Sequence, residues 1–226
     1  MRRYIGFILI LISSWAHGQS GNSPSFALSG DVALLSHYVE YGLSQSDKSP
    51  ALQGSFWFNF GPQFRLGAFA SNTNYENSDD HFNLRGNAEI QVDFSSENKM
   101  IITYSQSQYY KDGDRNGDIL GLHLHFGEYR ILYDTLSNWE GTHERSPRFA
   151  LGAEFSVFSD WLLDIEAGYN APDISTLDPY FDLRMGLGSK FGSIFLEGSV
   201  TGTSASSELN GAGDVFFILS AKTELK

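Results

Sequence analysis

The segment FNLRGNAEIQVDF, residues 82–94, alternates between apolar and polar residues along its whole length. One set of alternating positions holds Phe, Leu, Gly, Ala, Ile and Val, and the other holds Asn, Arg, Glu, Gln and Asp. Because side chains on a β-strand point alternately to opposite faces, the pattern predicts a strand with one apolar and one polar face. The apolar face must meet either a protein core or the lipid of a membrane.

The same alternation recurs along the chain and predicts about twelve strands of roughly eight to thirteen residues, the length range of tilted membrane-spanning strands. Short turns, such as residues 61–63, alternate with longer polar loops, such as residues 72–80 and 203–214. This arrangement predicts an all-β fold: a single antiparallel transmembrane β-barrel with short periplasmic turns and longer extracellular loops. The alternative, a secreted soluble β-domain, gives no reason for loops to be sorted by length.

The amino-terminal segment differs in composition from the rest of the chain. Arg2 and Arg3 precede a short apolar run, and small residues follow it up to Gly18. This pattern predicts a secretory signal peptide over residues 1–18, and the apolar run is too short to span a bilayer as a helix. The rest of the chain, 19–226, is then a barrel domain exported to the outer membrane of a Gram-negative bacterium.

The last segment ends on the polar sequence KTELK instead of an aromatic residue. Two interpretations are open. Either the final strand stops near Ala221 and a short polar tail follows, or the assembly signal is degenerate.

Charge and composition exclude several classes of function. The 226-residue chain has a net charge of -12 and no Cys. An acidic chain is poorly suited to nucleic acid, because Lys and Arg drive binding to phosphates. Without Cys there is no disulfide framework. The expected partners are therefore the lipid of the outer membrane and unidentified small solutes, and no cofactor is expected.

One stretch resembles a known family. The sequence SHYVEYGLSQS, residues 36–46, is followed by PALQG and later by Ser71 and Asn72. This resembles the amino-terminal signature of the Gcw_chp family of TorF-like outer-membrane proteins, which has Asp in place of His37 and Arg in place of Tyr41. The resemblance implies an outer-membrane β-barrel. The matching motif residues are Ser36, Tyr38, Gly42, Ser44, Gln45 and Ser46.

The motif lies at a predicted strand end and loop, and Gly, Ser and Pro are loop-forming residues. We therefore expect the motif to hold a loop in place, not to catalyse a reaction.

The inferred inward face of the barrel carries many ionisable residues. An acidic excess predicts a narrow channel that attracts cations and repels anions. The alternative is a closed, salt-bridged lumen in a barrel that acts through its extracellular loops. The acidic candidates are Asp31, Glu89, Asp93, Asp134, Glu154, Asp164, Glu166, Asp182 and Glu197, and the basic ones are Arg65, Arg85, Arg130, Arg184 and Lys222.

Two patterns resemble parts of metal sites. The sequence DGDRNGD, residues 112–118, resembles the first half of a calcium loop, but His123 stands where the bidentate carboxylate is needed. A polar hairpin loop is the favoured interpretation, with weak surface Ca²⁺ binding as the alternative. His123 and His125 share one strand face, yet no third ligand can be named. The candidate calcium ligands are Asp112, Asp114, Asn116 and Asp118.

An enzyme is a less favoured hypothesis. Some outer-membrane barrels are lipid hydrolases that need a Ser nucleophile and a His base within hydrogen-bond reach. His123 and His125 are predicted to point into the lumen, away from lipid, and the sequence contains no G-x-S-x-G motif. We therefore expect a protein without catalytic residues.

Overall fold

The computed structural model describes residues 26–74, 79–111, 113–158, 160–209 and 211–225. The predicted signal peptide lies outside these residues. Within them no helix is long and apolar enough to cross a membrane. The strands are β1 (Phe26–Leu35), β2 (Val39–Glu40), β3 (Leu43–Ser44), β4 (Ala51–Phe60), β5 (Phe64–Asn72), β6 (Phe82–Asp93), β7 (Asn98–Tyr110), β8 (Gly117–Phe126), β9 (Tyr129–Leu136), β10 (Ser146–Phe158), β11 (Trp161–Asn170), β12 (Tyr180–Phe191), β13 (Ile194–Thr203) and β14 (Phe216–Leu225).

All strands except β2 and β3 close into one antiparallel barrel, in the order β1-β14-β13-β12-β11-β10-β9-β8-β7-β6-β5-β4. The prediction of a barrel of twelve antiparallel strands is confirmed. β1 closes it by pairing with β4 on one side and β14 on the other. Gly30 of β1 lies opposite Leu225, so β14 continues well past Ala221. The interpretation that the last strand stops near Ala221 is therefore wrong, because its polar end is needed to pair with β1.

The apolar half of the alternating pattern lies on the outside of the barrel. In β6, Leu84 and Ile90 are exposed, whereas Asn83 is fully buried. In β14, Phe217 is 81% exposed, and the next residue, Ile218, is buried. A soluble surface rarely carries so continuous a belt of exposed apolar side chains, whereas lipid covers such a belt on a membrane barrel.

The two remaining strands form a small hairpin that does not belong to the wall. β2 and β3 pair through Val39 with Ser44 and Glu40 with Leu43. We call residues 39–44 the mouth hairpin. Its turn residues, Tyr41 and Gly42, have φ of 52° and 79°, which are the positive values that a tight two-residue hairpin turn requires. The sequence pattern predicted a strand end and loop here, because two-residue strands are too short to show alternation.

Gly67 of β5 packs closely against the neighbouring strand β4. A Cβ atom added at Gly67 would lie 2.5 Å from Cε3 of Trp57 and 2.6 Å from the carbonyl oxygen of Phe56. We expect Gly67→Ala to lower the free energy of unfolding by about 1–3 kcal/mol, because overpacking moves neighbouring atoms. Urea unfolding of the refolded barrel measures this.

Gly86 is the matched control, because it lies on the adjacent strand β6 and a Cβ there would meet no atom within 4 Å. Gly86→Ala should leave the unfolding midpoint unchanged. Equal midpoints for the two variants would contradict the packing described for Gly67.

Candidate functional site: the lumen and its mouth

A continuous chain of ion pairs follows the inner wall from β9 to β13. It joins arginines and carboxylates of neighbouring and next-neighbouring strands, and we call it the arginine ladder. Its contacts are Arg130–Asp164 (2.7 Å), Arg130–Glu166 (2.9 Å), Arg148–Glu166 (2.9 Å), Arg148–Asp182 (2.8 Å), Arg184–Asp164 (2.5 Å) and Arg184–Glu197.

The most deeply buried pair of the ladder is Arg148 with Asp182. Their side chains are only 3% and 4% exposed. Asn170 also donates a hydrogen bond to the Asp182 carboxylate, at 2.6 Å. Burying charges is costly unless they are paired and hydrogen-bonded, and these contacts satisfy that condition. Arg148 is absent from the predicted inward set because the apolar alternation of its strand begins only at Phe149, after Pro147.

The other predicted lumen residues lie in smaller groups. Arg65 donates to Glu89 at 2.7 Å, and its guanidinium lies 4.2 Å from the ring centre of Trp57. Lys222 lies 3.5 Å from Asp31. These pairs neutralise part of the predicted acidic excess.

Three further predicted residues lie on the same inner face. His123 and Asp134 are 2.9 Å apart. Asp93 accepts a hydrogen bond from Gln91 at 2.8 Å. In the described part of the chain, no ion pair joins Asp93 or Glu154 to a cationic side chain. Lys99, which lies opposite Asp93 in the register of β6 and β7, is an inward residue that the sequence reasoning missed.

The mouth hairpin lies inside the barrel opening on the long-loop side. The Glu40 carboxylate accepts two hydrogen bonds from the Arg85 guanidinium of β6, at 2.7 and 2.9 Å. The hydroxyl of Tyr38 donates a third, at 2.9 Å. Burial opposes ionisation of Glu40, but the charge and hydrogen bonds of Arg85 outweigh it and lower the pKa of Glu40. The pair therefore persists as the pH falls through the ordinary pKa of a glutamate, and is lost only below it.

The tip of the mouth hairpin packs against walls on other sides of the barrel. The Arg148 guanidinium lies 4.9 Å from the ring centre of Tyr41. A Cβ added at Gly42 would lie 2.5 Å from Cγ2 of Thr203 and 2.8 Å from Cβ of Asp182, so a larger residue does not fit there. Leu43 belongs to a buried apolar cluster with the wall and loop residues Trp139, Leu177, Tyr180 and Ala205.

The family-motif residues hold the base of the mouth hairpin. Ser46 accepts a hydrogen bond from the Tyr38 backbone N–H at 3.0 Å and donates to the Ser49 carbonyl at 2.6 Å. The side-chain oxygen of Gln45 accepts a hydrogen bond from the Arg115 guanidinium at 2.5 Å. Ser36 joins the segment to β14, where its hydroxyl accepts from the backbone N–H of Leu219 at 2.9 Å. These contacts tie the motif segment to β14 and to a neighbouring loop.

His37 takes part in the same network. Its Nε2 lies 2.7 Å from the Ser44 hydroxyl and accepts the Lys48 backbone N–H at 3.3 Å. Burial and the charge of Lys48 lower the pKa of His37. A neutral imidazole with Nε2 as the acceptor fits these donors. His37 thus accepts one backbone hydrogen bond and one from a side-chain hydroxyl at the position where the resembled family pattern has Asp.

Two cavities lie toward opposite ends of the barrel. Beside the mouth hairpin there is a cavity of about 30 Å³, with Glu40, Tyr41, Arg85 and Tyr109 among its lining residues. Near the short turn that joins β8 and β9, the cavity is about 350 Å³, and Glu154 is among its lining residues. We call this wider space the turn-side vestibule.

Two of the candidate calcium ligands in the loop of residues 112–118 accept hydrogen bonds from within the protein. Asp112 lies outside the described residues. The Asn116 side-chain oxygen accepts the Tyr109 backbone N–H at 2.6 Å, and the Tyr104 hydroxyl donates to Asp118 at 3.1 Å. Among the described residues, no group of three or more His, Cys, Asp or Glu side chains could hold a metal ion. Weak surface Ca²⁺ binding by this loop, including Asp114, stays a prediction.

The barrel, its lipid-facing exterior and its charged interior define the fold class of outer-membrane porins. The chain is similar to a KdgM porin, with a TM-score of 0.60 and 8% identity over 88% of this chain and 99% of that one. It is also similar to the NanC porin, with a TM-score of 0.58 and 8% identity over 88% of this chain and 100% of that one. At these identities the likeness shows the fold alone.

The sequence itself matches one family. Residues 18–117 match the model of the family described as "Bacterial protein of unknown function (Gcw_chp)", and this confirms the resemblance inferred from the motif. No curated protein matches the chain.

The ladder generates a prediction about stability. Arg148→Ala leaves Asp182 buried without its cationic partner, so we expect a loss of about 3–5 kcal/mol in the free energy of unfolding. Arg65→Ala removes an arginine whose side chain is 43% exposed, and its ion pair should be worth at most about 1 kcal/mol. Urea unfolding of both variants measures the difference. Equal losses would mean that burial does not set the strength of these pairs.

Proposed function

We propose that this protein is a non-enzymatic channel of the bacterial outer membrane, with a narrow aqueous lumen that passes small solutes and favours cations. The observation that carries the proposal is the turn-side vestibule of about 350 Å³, a water-accessible space inside a lipid-facing barrel. A similar structure, a KdgM porin, is in complex with disordered oligogalacturonate, which supports solute passage through this fold.

The cation preference rests on the carboxylates that remain unpaired. Most ladder carboxylates are neutralised by arginines, so they contribute little net field. Glu154 and Glu128 line the turn-side vestibule, and in the described part of the chain neither forms an ion pair. Arg130 also lines it, but this arginine is already paired with two carboxylates. Unpaired carboxylates that line one cleft raise the local concentration of cations there.

The second candidate is a barrel with a closed lumen that acts through its extracellular loops. The mouth hairpin and the paired ladder favour it, because both fill space and neutralise charge. A lipid hydrolase has less support: His123 contacts Asp134 on the inner face, away from the lipid-facing surface where such a site would operate.

Ion selectivity separates the two candidates. We expect the refolded protein to give discrete conductance steps in a planar bilayer, with a reversal potential in a KCl gradient that indicates preference for K⁺. Glu154→Gln should move the permeability ratio of K⁺ to Cl⁻ toward unity, because it removes an unpaired carboxylate from the vestibule.

Glu144→Gln is the matched control, because Glu144 is an exposed residue of the β9–β10 loop, at the opposite end of the barrel from the vestibule. It removes the same charge but should leave the reversal potential unchanged. If the folded barrel shows no conductance, the closed-lumen candidate replaces the proposed channel.

A further inference from the structure

The mouth hairpin crosses the barrel opening instead of following one wall. In the barrel order, β6 lies three strands from β1 in one direction and β12 lies three strands from β1 in the other. The hairpin touches both sides: Glu40 contacts Arg85 of β6, and Gly42 abuts Asp182 of β12. Tyr41 reaches Arg148 on β10, still further around the wall. One short segment is therefore in contact with strands around most of the circumference.

We propose that the mouth hairpin is the constriction that sets the size limit of the channel, and that Glu40 and Arg85 are the specificity-determining residues that hold it across the lumen. This inference rests on the proposed channel function. The cavity beside these residues holds about 30 Å³, whereas the turn-side vestibule holds about 350 Å³. A solute that enters from the loop side must pass the hairpin first.

The base and the tip of the hairpin are held by different forces. At the base, the Ser44 backbone N–H donates to the Ala212 carbonyl at 2.8 Å, and the Asn74 N–H donates to the Gln45 carbonyl at 3.0 Å. These bonds involve neighbouring loops and do not depend on Glu40. Near the tip, the charged contact is the bidentate ion pair with Arg85, whose side chain is 14% exposed. Loss of the Glu40 charge should therefore loosen this side of the hairpin, while Leu43 and the base stay in place.

Two variants test the constriction. In the first, Glu40→Gln keeps the side-chain length but removes the charge. In the second, the four residues 40–43 are replaced by Asn-Gly. Val39 and Ser44 then flank the two-residue turn directly, and the hairpin is shorter by the pair Glu40–Leu43. Because the second variant also removes Leu43 from the apolar cluster, its folding must be checked by the gel shift between heated and unheated samples. Glu40→Gln keeps Leu43 and provides the test if the shortened protein does not fold.

Glu89→Gln is the matched control. Glu89 lies on the same strand as Arg85 and is paired with Arg65, but the hairpin does not contact it. Glu89→Gln removes one negative charge from the same lumen, as Glu40→Gln does. Size limits are read with neutral mono-, di- and trisaccharides in a liposome-swelling assay, because uncharged solutes are insensitive to the change in lumen charge. Single-channel conductance is recorded in parallel.

We expect the shortened hairpin to raise conductance by at least about twofold, because conductance follows the open cross-section, and to admit larger sugars than the wild type. Glu40→Gln should move both readouts in the same direction, and Glu89→Gln should leave the size limit unchanged. Conduction only by the hairpin variants, with a silent wild type, would show that the hairpin closes the lumen, and it would replace the proposed channel by the closed-lumen candidate.

Two results would overturn the inference, and they are distinguishable. If the wild type conducts and the size limit is the same in Glu40→Gln and in the folded shortened variant, the hairpin is not the constriction, and the channel function stands. If the wild type and all folded variants are silent to ions and sugars, the channel function fails and the constriction with it.

Discussion

The pairing of β1 with β14 is the constraint on which the rest of the structure depends. It removes the two open edges of the sheet, so every wall strand in the described part of the chain has a neighbour on both sides, as strands at membrane depth require. The register of this pair also decides which way each side chain points. Phe217 and Leu219 face outward, and Lys222 faces Asp31 across the closing seam. A slip of one residue would exchange the two faces.

Closure leaves a polar interior, and the interior is organised by ion pairs instead of an apolar core. The arginine ladder links five consecutive wall strands, from β9 to β13, and the mouth hairpin is tied to the opposite part of the wall by Glu40 and Arg85. The buried apolar cluster around Leu43 and Tyr180 lies among the loops at the mouth. Backbone pairing and charge thus hold the wall, while apolar packing and one bidentate ion pair hold the mouth.

Alternation along the chain was enough to predict the strands, the barrel and the inner face, because a period of two is imposed by the strand itself. It could not predict the mouth hairpin, since strands of two residues are too short to show a period. It also missed Arg148. The strand of this residue begins at Ser146, but Pro147 interrupts the alternating pattern, which becomes visible only from Phe149. The partners of the charges lie beyond sequence reasoning as well: Arg130 of β9 reaches past β10 to the carboxylates of β11, a distance set by barrel curvature.

The position of the mouth hairpin in the chain has a consequence for assembly. It follows directly after β1, yet the residues it contacts belong to β6, β10, β12 and β13; Glu40 and Arg85 are 45 residues apart, and Thr203 is much further along. Contacts between residues so distant in sequence carry a large loop-closure entropy and form late in folding. Glu40 can meet Arg85 once β6 is present, but Gly42 has its neighbours Asp182 and Thr203 only after β12 and β13 are in place. An early segment of the chain therefore completes its docking only when late strands have been made.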